Sequence, residues 1–364
     1  MKELQEILKK IQAFVPDERA ILATVVDVVG SGYRRPGARM LIDENGYAVG
    51  TVSGGCLEAD VLERAVKVLE SGEPTVITYD TTRDENSVFG LSMGCRGIVR
   101  ILLESVTKKS NFIFHAVDNI SERMPFTVLT LITSRRTDLP VGSRLFWDET
   151  GVAFSDFKNE ALNEINTFSR RAFADQISGL ETFEFGEVFF ETITPPFNLL
   201  LFGAGYDALP LVKFAKELGW RVTAIDHRAA FANAERLPEA DEIIVSASED
   251  LDESLFADEN SVAVIMTHNY ERDRNILRRL LNSKCLYIGA LGPKKRTEKL
   301  LEEIGEKFSE ERLAKLHAPI GLDIGADTPE EIALAIAAEI RAVSANRDGG
   351  FLRDRNGSIY GGKR

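Results

Sequence analysis

FNLLLFGAGYDALPLVKFAKELGWRVTAIDHR, residues 197–228, decides the fold of the C-terminal half. Leu199–Phe202 is an apolar run of strand length, and Gly203, Gly205 and Ala208 fit a G-x-G-x-x-G/A turn. Leu211, Phe214, Ala215 and Leu218 recur at helical spacing, Gly219 ends the helix, and Val222–Ile225 is a second strand closed by Asp226. Strand, glycine turn, helix, strand and acid in that order predict a dinucleotide-binding βαβ unit. Gly203 permits the tight turn, Gly205 lets the backbone approach a pyrophosphate, and the helix N-terminus supplies N–H donors. Asp226 is then placed to accept from a ribose 2′-hydroxyl, whereas Arg228 nearby favours a 2′-phosphate instead.

The alternation continues outward. EIIVSAS (242–248), SVAVIMTHN (261–269) and KCLYIGALG (284–292) read as strands, each followed by a helical stretch. Thr267, His268, Gly289 and Gly292 then fall at or near the C-terminal strand edge, where open parallel sheets bind ligands. GPKKR opens a helix with Lys294, Lys295 and Arg296, which suit either a phosphate or water. Thr328, Pro329 and Glu331 carry the cap signals of a closing helix. Cys285 reads as inert packing.

The first 195 residues contain a repeat. TVVDVVGSGYRRPGARMLIDENGYAVG from Thr24 and TVLTLITSRRTDLPVGSRLFWDETGVAFS from Thr127 share their order of elements. Gly37 matches Gly142, Arg39 matches Arg144, Asp43 matches Asp148 and Gly46 matches Gly151. Each copy continues into a charged helix and ends in a β-like run. The expected fold is α/β: a duplicated N-terminal half with mixed sheets (1–195; copies about 16–105 and 106–195), then a Rossmann-like doubly wound domain (196–345) and a tail (346–364).

SGGC (53–56) and GLSMGCRG (90–97) have no counterpart in the second copy, so the chemistry is expected in the first. Gly54 and Gly55 allow a tight turn that gathers N–H groups into an anion nest. Cys56 is expected within the first turn of the next helix, where the dipole favours a thiolate and a neighbouring cation must complete its activation. Arg34, Arg35, Arg39 and Arg96 are the candidates, and Cys95 sits in a second glycine-rich loop. Two thiols with arginines nearby suit a soft metal or sulfur chemistry beside an anionic group, not hydrolysis.

Composition narrows the partners. A net charge of −13 argues against nucleic acid and anionic membranes. The helical spacing of Leu4, Ile7, Leu8 and Ile11 predicts an amphipathic helix rather than a signal peptide, so the expected location is the cytoplasm. Three cysteines without CxxC spacing predict reduced thiols, with neither disulfides nor structural zinc.

GSGYRRPGARMLI, GTVSGGCLEADV and GLSMGCRG together resemble the N-terminal signature of the XdhC/CoxI family. LLLFGAGYDALPL, MTHNYERD, YIGALGPKKR and HAPIGLDIGADTPEEIALAIAAEI are similar to that family's Rossmann domain. The resemblance implies an accessory protein that binds molybdenum cofactor (molybdopterin) while its sulfido ligand is installed. It would then pass the cofactor to an apo hydroxylase of the xanthine dehydrogenase type. On that basis Cys56 contacts the cofactor, and Ser53, Gly54, Gly55, Glu58 and Cys95 build its pocket. Arg34, Arg35, Arg39 and Arg96 take its phosphate. The Rossmann half would hold NAD(P) or the cofactor's nucleotide through Gly203, Gly205, Tyr206, Asp226, Arg228, Thr267, His268, Gly289 and Lys294. A cysteine desulfurase and a homodimer are the further implied partners. The family often has histidine after the second glycine of the turn; Tyr206-Asp207 stands here, and Asp207 would repel a pyrophosphate unless turned away. The competing class is an NAD(P)-dependent oxidoreductase with a cysteine-lined pocket.

Overall fold

The computed structural model describes residues 1–30, 33–80, 97–256 and 258–356; Cys95 and Arg96 lie outside them. The chain divides into two compact units, one ending at Pro195 and the next beginning at Pro196.

The first unit is built twice. Helix α1 (Lys2–Gln12) precedes β1 (Ala20–Gly30), β2 (Arg39–Asp43), β3 (Ala48–Gly50), α2 (Glu58–Ser71), β4 (Thr75–Asp80) and β5 (Gly97–Val106). The same series follows as α3 (Asn111–Ser121), β6 (Phe126–Ser134), β7 (Arg144–Asp148), β8 (Gly151–Ser155), α4 (Asn159–Ala174), β9 (Gly179–Phe183) and β10 (Gly186–Ile193). The strand orders, β3-β2-β1-β5-β4 and β8-β7-β6-β10-β9, coincide after a shift of one copy. Thr24 pairs with Arg39 as Thr130 pairs with Arg144, so the duplication holds residue by residue across those strands. Two expectations are corrected. Both sheets are antiparallel throughout, not mixed, because hairpins join most neighbouring strands. The first copy also reaches back past residue 16, since α1 stands where α3 stands in the second.

Alternation along the strands places the layers. Ile21, Ala23 and Val25 pack on one face with Val61, Ala65 and Val68 of α2. Leu129, Leu131 and Leu145 do the same with Ala161 and Ile165 of α4. The opposite faces meet, with Val26 and Leu102 against Ile132 and Phe189. Across this apolar meeting run two ion pairs. Arg39 holds Glu191 and Arg144 holds Glu104, each through two nitrogens. Glu104 lies opposite Leu22, as Glu191 lies opposite Val128, so each copy lends its arginine to the other copy's last strand. Such reciprocity is what an isologous interface produces.

In the second unit all six strands run parallel: β11 (Asn198–Phe202), β12 (Arg221–Asp226), β13 (Glu242–Val245), β14 (Ser261–Ile265), β15 (Tyr287–Ala290) and β16 (Leu316–His317). Helices α5 (Ala208–Glu217), α6 (Tyr270–Leu281), α7 (Lys294–Ile304), α8 (Glu310–Leu313) and α9 (Pro329–Ser344) accompany them. The order β13-β12-β11-β14-β15-β16 reverses between β11 and β14, the topological switch of a Rossmann domain. The capping box read at Thr328 and Glu331 forms at the start of α9. Among the described residues no helix is long and apolar enough to cross a membrane.

Candidate functional site

The two copies of the first unit differ most at two connections. Residues 51–57 join β3 to α2, where only 156–158 join β8 to α4. Residues 81–96 separate β4 from β5, where only 184–185 separate β9 from β10. The longer connections are those that carry Cys56 and Cys95. Their described flanks point the same way: Gly30 pairs with Gly97 and Asp80 with Ile98 at one sheet end, toward which β3 also runs.

Cys56 is exposed and reduced, but it precedes the helix instead of entering it: Leu57 is the N-cap and Glu58 the first helical residue. Glu58 organises the loop. Its carboxylate accepts from the Ser53 N–H at 2.8 Å, the Leu57 N–H at 3.2 Å and the hydroxyls of Thr51 and Ser53. Burial works to raise this carboxyl, yet those hydrogen bonds outweigh it and hold it at about 2. Ser53 Oγ in turn accepts from the N–H groups of Gly55 and Leu57. The nest donors at Ser53, Gly55 and Leu57 are therefore spent within the loop. The N–H groups of Gly54 and Cys56 make no hydrogen bond among the described residues. Gly54 faces the ring of Tyr33, where a Cβ would stand 3.2 Å from the ring carbon. Tyr33, 67% exposed, has nothing in its local sequence pattern that marks this contact.

The arginines named with Cys56 are largely placed elsewhere. Arg34 pairs with Glu3 at 2.6 Å. Arg39 is 5% exposed and engaged with Glu191, so it belongs to the interior and not to a phosphate. Cys285 is buried just ahead of β15, where desolvation pushes its thiol up, in keeping with packing.

On the Rossmann unit, the glycine turn lies at the switch point. Gly203 has φ 108°, and a Cβ there would meet the Met266 carbonyl oxygen at 2.3 Å, so β11 and β14 approach as closely as only glycine allows. The N–H groups of Gly205, Tyr206 and Asp207 make no hydrogen bond among the described residues, leaving a row of donors ahead of α5. His268, at the end of β14 with φ 55°, reaches across to Asp207 at 2.6 Å. Asp207 is thus held by a histidine on a neighbouring strand end, an arrangement that no local pattern signals.

Two assignments change. Asp226 is 5% exposed and accepts from Ala204 N–H at 2.9 Å, Arg228 N–H at 2.9 Å, and Arg228 Nε and Nη2 at 3.0 and 2.7 Å. A carboxylate offers about four acceptor sites, so the ribose hydroxyl finds none free. Gly289 is buried inside β15, where a Cβ would meet Ile320 Cδ1 at 2.1 Å; it serves packing. Lys294 opens α7 at the surface, while Arg296 pairs with buried Asp273 at 2.7 Å. Arg296 and His268 line a cavity of about 310 Å³ between the ends of β14 and β15, together with Met266 and Gly292. Thr267 hydrogen-bonds Asp273, which also lines this cavity.

Asp226 also gives the domain a pH signature. Burial would raise its carboxyl, but the bonds from Arg228 and Ala204 prevail and hold it at about 2 against an ordinary 3.8. A lowered folded value means stability that is complete above about pH 4 and lost as pH falls through about 2, worth about 2 kcal/mol. Chemical unfolding of wild type and Asp226→Asn at pH 6 and pH 2 should show their gap shrinking by that amount. A gap independent of pH would mean that the charge is not what ties the turn to β12.

An antiparallel unit that doubles itself and lengthens two connections in its first copy, one of them carrying an exposed thiol, is thus joined to a Rossmann domain with a row of N–H donors at its glycine turn. A model described as the XdhC Rossmann domain matches residues 199–340, and one described as the XdhC and CoxI family matches 16–80. The chain belongs to the XdhC and CoxI family. It is 32% identical over 327 residues to a probable xanthine dehydrogenase subunit of Bacillus subtilis (strain 168), covering 89% of this chain and 92% of that one. It is 23% identical over 339 residues to the Molybdenum cofactor insertion chaperone PaoD of Escherichia coli (strain K12), covering 93% and 87%. A crystal structure described as a xanthine dehydrogenase from Bacillus halodurans superposes with a TM-score of 0.80 at 31% identity, over 96% of this chain and 97% of that one.

Proposed function

We propose that this chain is an accessory protein that receives molybdenum cofactor at the Cys56 loop and hands it to an apo hydroxylase of the xanthine dehydrogenase type. The observation that carries the reading is the exposed thiol on a connection that is lengthened in one of two matching copies. A sulfur donor is a soft ligand suited to molybdenum, and the N–H groups of Gly54 and Cys56 can donate to an anionic edge of the guest. Glu58, locked by the loop it organises, fixes the backbone that presents the sulfur. Arg96 keeps the phosphate assignment read from the sequence, while Arg34 and Arg39 are given to carboxylates. The name of the relative PaoD supports the cargo, and the names that include xanthine dehydrogenase support the client. A cysteine desulfurase fits as the source of sulfur for the held cofactor.

The test is native mass spectrometry of the full chain co-expressed with cofactor biosynthesis, where a mass increment of one molybdenum cofactor per chain is expected. Apoprotein under those conditions would sink the reading. Two relatives bear the name of a dehydrogenase, which keeps a second reading in view: an oxidoreductase using NAD(P) on the Rossmann unit. Sustained hydride transfer from NAD(P)H to a pterin or aldehyde by the purified chain would favour it.

A further inference from the structure

Beyond Asp226, the connection after β12 carries two arginines and an aromatic that gather at the glycine turn. The Arg236 guanidinium lies 4.6 Å from the centre of the Tyr206 ring and 4.8 Å from that of Phe231. Arg228 lies 4.0 Å from the same Phe231 ring. The two cations differ in what else holds them. Arg228 is committed to Asp226 through two nitrogens. Arg236 has buried Nε and Nη2 atoms with no hydrogen-bond partner, and its side chain forms no ion pair among the described residues. Among the described residues other arginines also lack an ion pair, but Arg236 is set apart by two guanidinium nitrogens that are both buried and unpartnered. Aromatic faces offset part of the lost hydration, but they leave the N–H donors unsatisfied.

The place is informative. The end of the strand after the glycine turn is where a Rossmann domain meets the adenosine ribose. Asp226, saturated by its neighbours, offers nothing to a free 2′-hydroxyl. A phosphate there would meet charge-assisted donors instead. Tyr206, which covers one face of the Arg236 guanidinium, is 73% exposed, so little packing opposes its moving aside. The acid that also acts on Arg228, Asp207, is held by His268.

Resting on the reading of this unit as a dinucleotide site, we infer that Arg236, with Arg228 beside it, is a phosphate subsite that selects a dinucleotide phosphorylated on the adenosine ribose 2′ position. Isothermal titration of the full chain with NADP⁺, NAD⁺, 2′-AMP and 3′-AMP tests this. Wild type is expected to bind NADP⁺ at least about tenfold more tightly than NAD⁺, and 2′-AMP more tightly than 3′-AMP. Arg236→Met keeps an apolar stem between the rings and removes the donors; it should lose about tenfold more affinity for NADP⁺ than for NAD⁺. The wild-type ratios need no variant, so they decide the matter even if the substitution disturbs folding. Equal binding of the two dinucleotides, a preference for 3′-AMP, or an NADP⁺ preference that survives Arg236→Met overturns the subsite and leaves the dinucleotide reading standing. If neither dinucleotide binds, that reading falls and the subsite with it.

Discussion

Cys56→Ser is expected to strip molybdenum from the co-expressed protein by at least about tenfold while leaving its unfolding midpoint where it was. The separation follows from how the loop is held. Glu58, Thr51 and Ser53 supply its internal hydrogen bonds, and among the described residues the sulfur supplies none of the bonds that shape it. Exposed as it is, the thiol fills no core, so exchanging sulfur for oxygen removes a soft ligand and little else. Metal content by plasma mass spectrometry and midpoint by urea titration read the two effects independently. Undiminished molybdenum would place the cargo elsewhere on the chain, and a lowered midpoint would mean that the sulfur is structural after all.

Arg39→Met should cost about 3–5 kcal/mol of stability, because it leaves Glu191 charged and partnerless between two packed sheet faces. Side-chain exposure is 7% for Arg39 and 13% for Glu191, so water cannot replace the lost guanidinium. The double replacement Arg39→Met with Glu191→Leu should recover most of that loss, since an apolar pair of similar volume removes both desolvation penalties together. Arg144 and Glu104 form the matching pair and should behave alike. Urea unfolding of the two single variants and the double variant closes the cycle. A single variant that loses less than about 1 kcal/mol would show the pair to be surface-like.

What the sequence disclosed, and what it withheld, follows the range of the interactions involved. The Rossmann unit was readable because strand, glycine turn, helix and acid are neighbours in sequence, and the cap of α9 was readable at Thr328 and Glu331 for the same reason. The repeat was readable as matched glycines, arginines and aspartates. The partners of those arginines were not, since Arg39 meets a glutamate 152 positions away and Arg34 one that is 31 away. A charge looks equally available to a ligand or to a distant carboxylate until the chain is folded. Asp226 misled for a different reason: its position was right, but the arginine two residues on turned an acceptor for ribose into a clasp on the turn. Gly289, placed by its strand-end position among the nucleotide contacts, instead packs against Ile320.

The reciprocal pairs between the two copies carry one more consequence. A partnership written into a single polypeptide is not subject to mass action, for its halves meet at a fixed local concentration however dilute the cell keeps the protein. Tethering also permits inequality, because a separate twofold dimer must decorate both halves or neither. One half has therefore been free to lengthen its connections while the other stays plain, which predicts a cargo stoichiometry of one per polypeptide at any expression level.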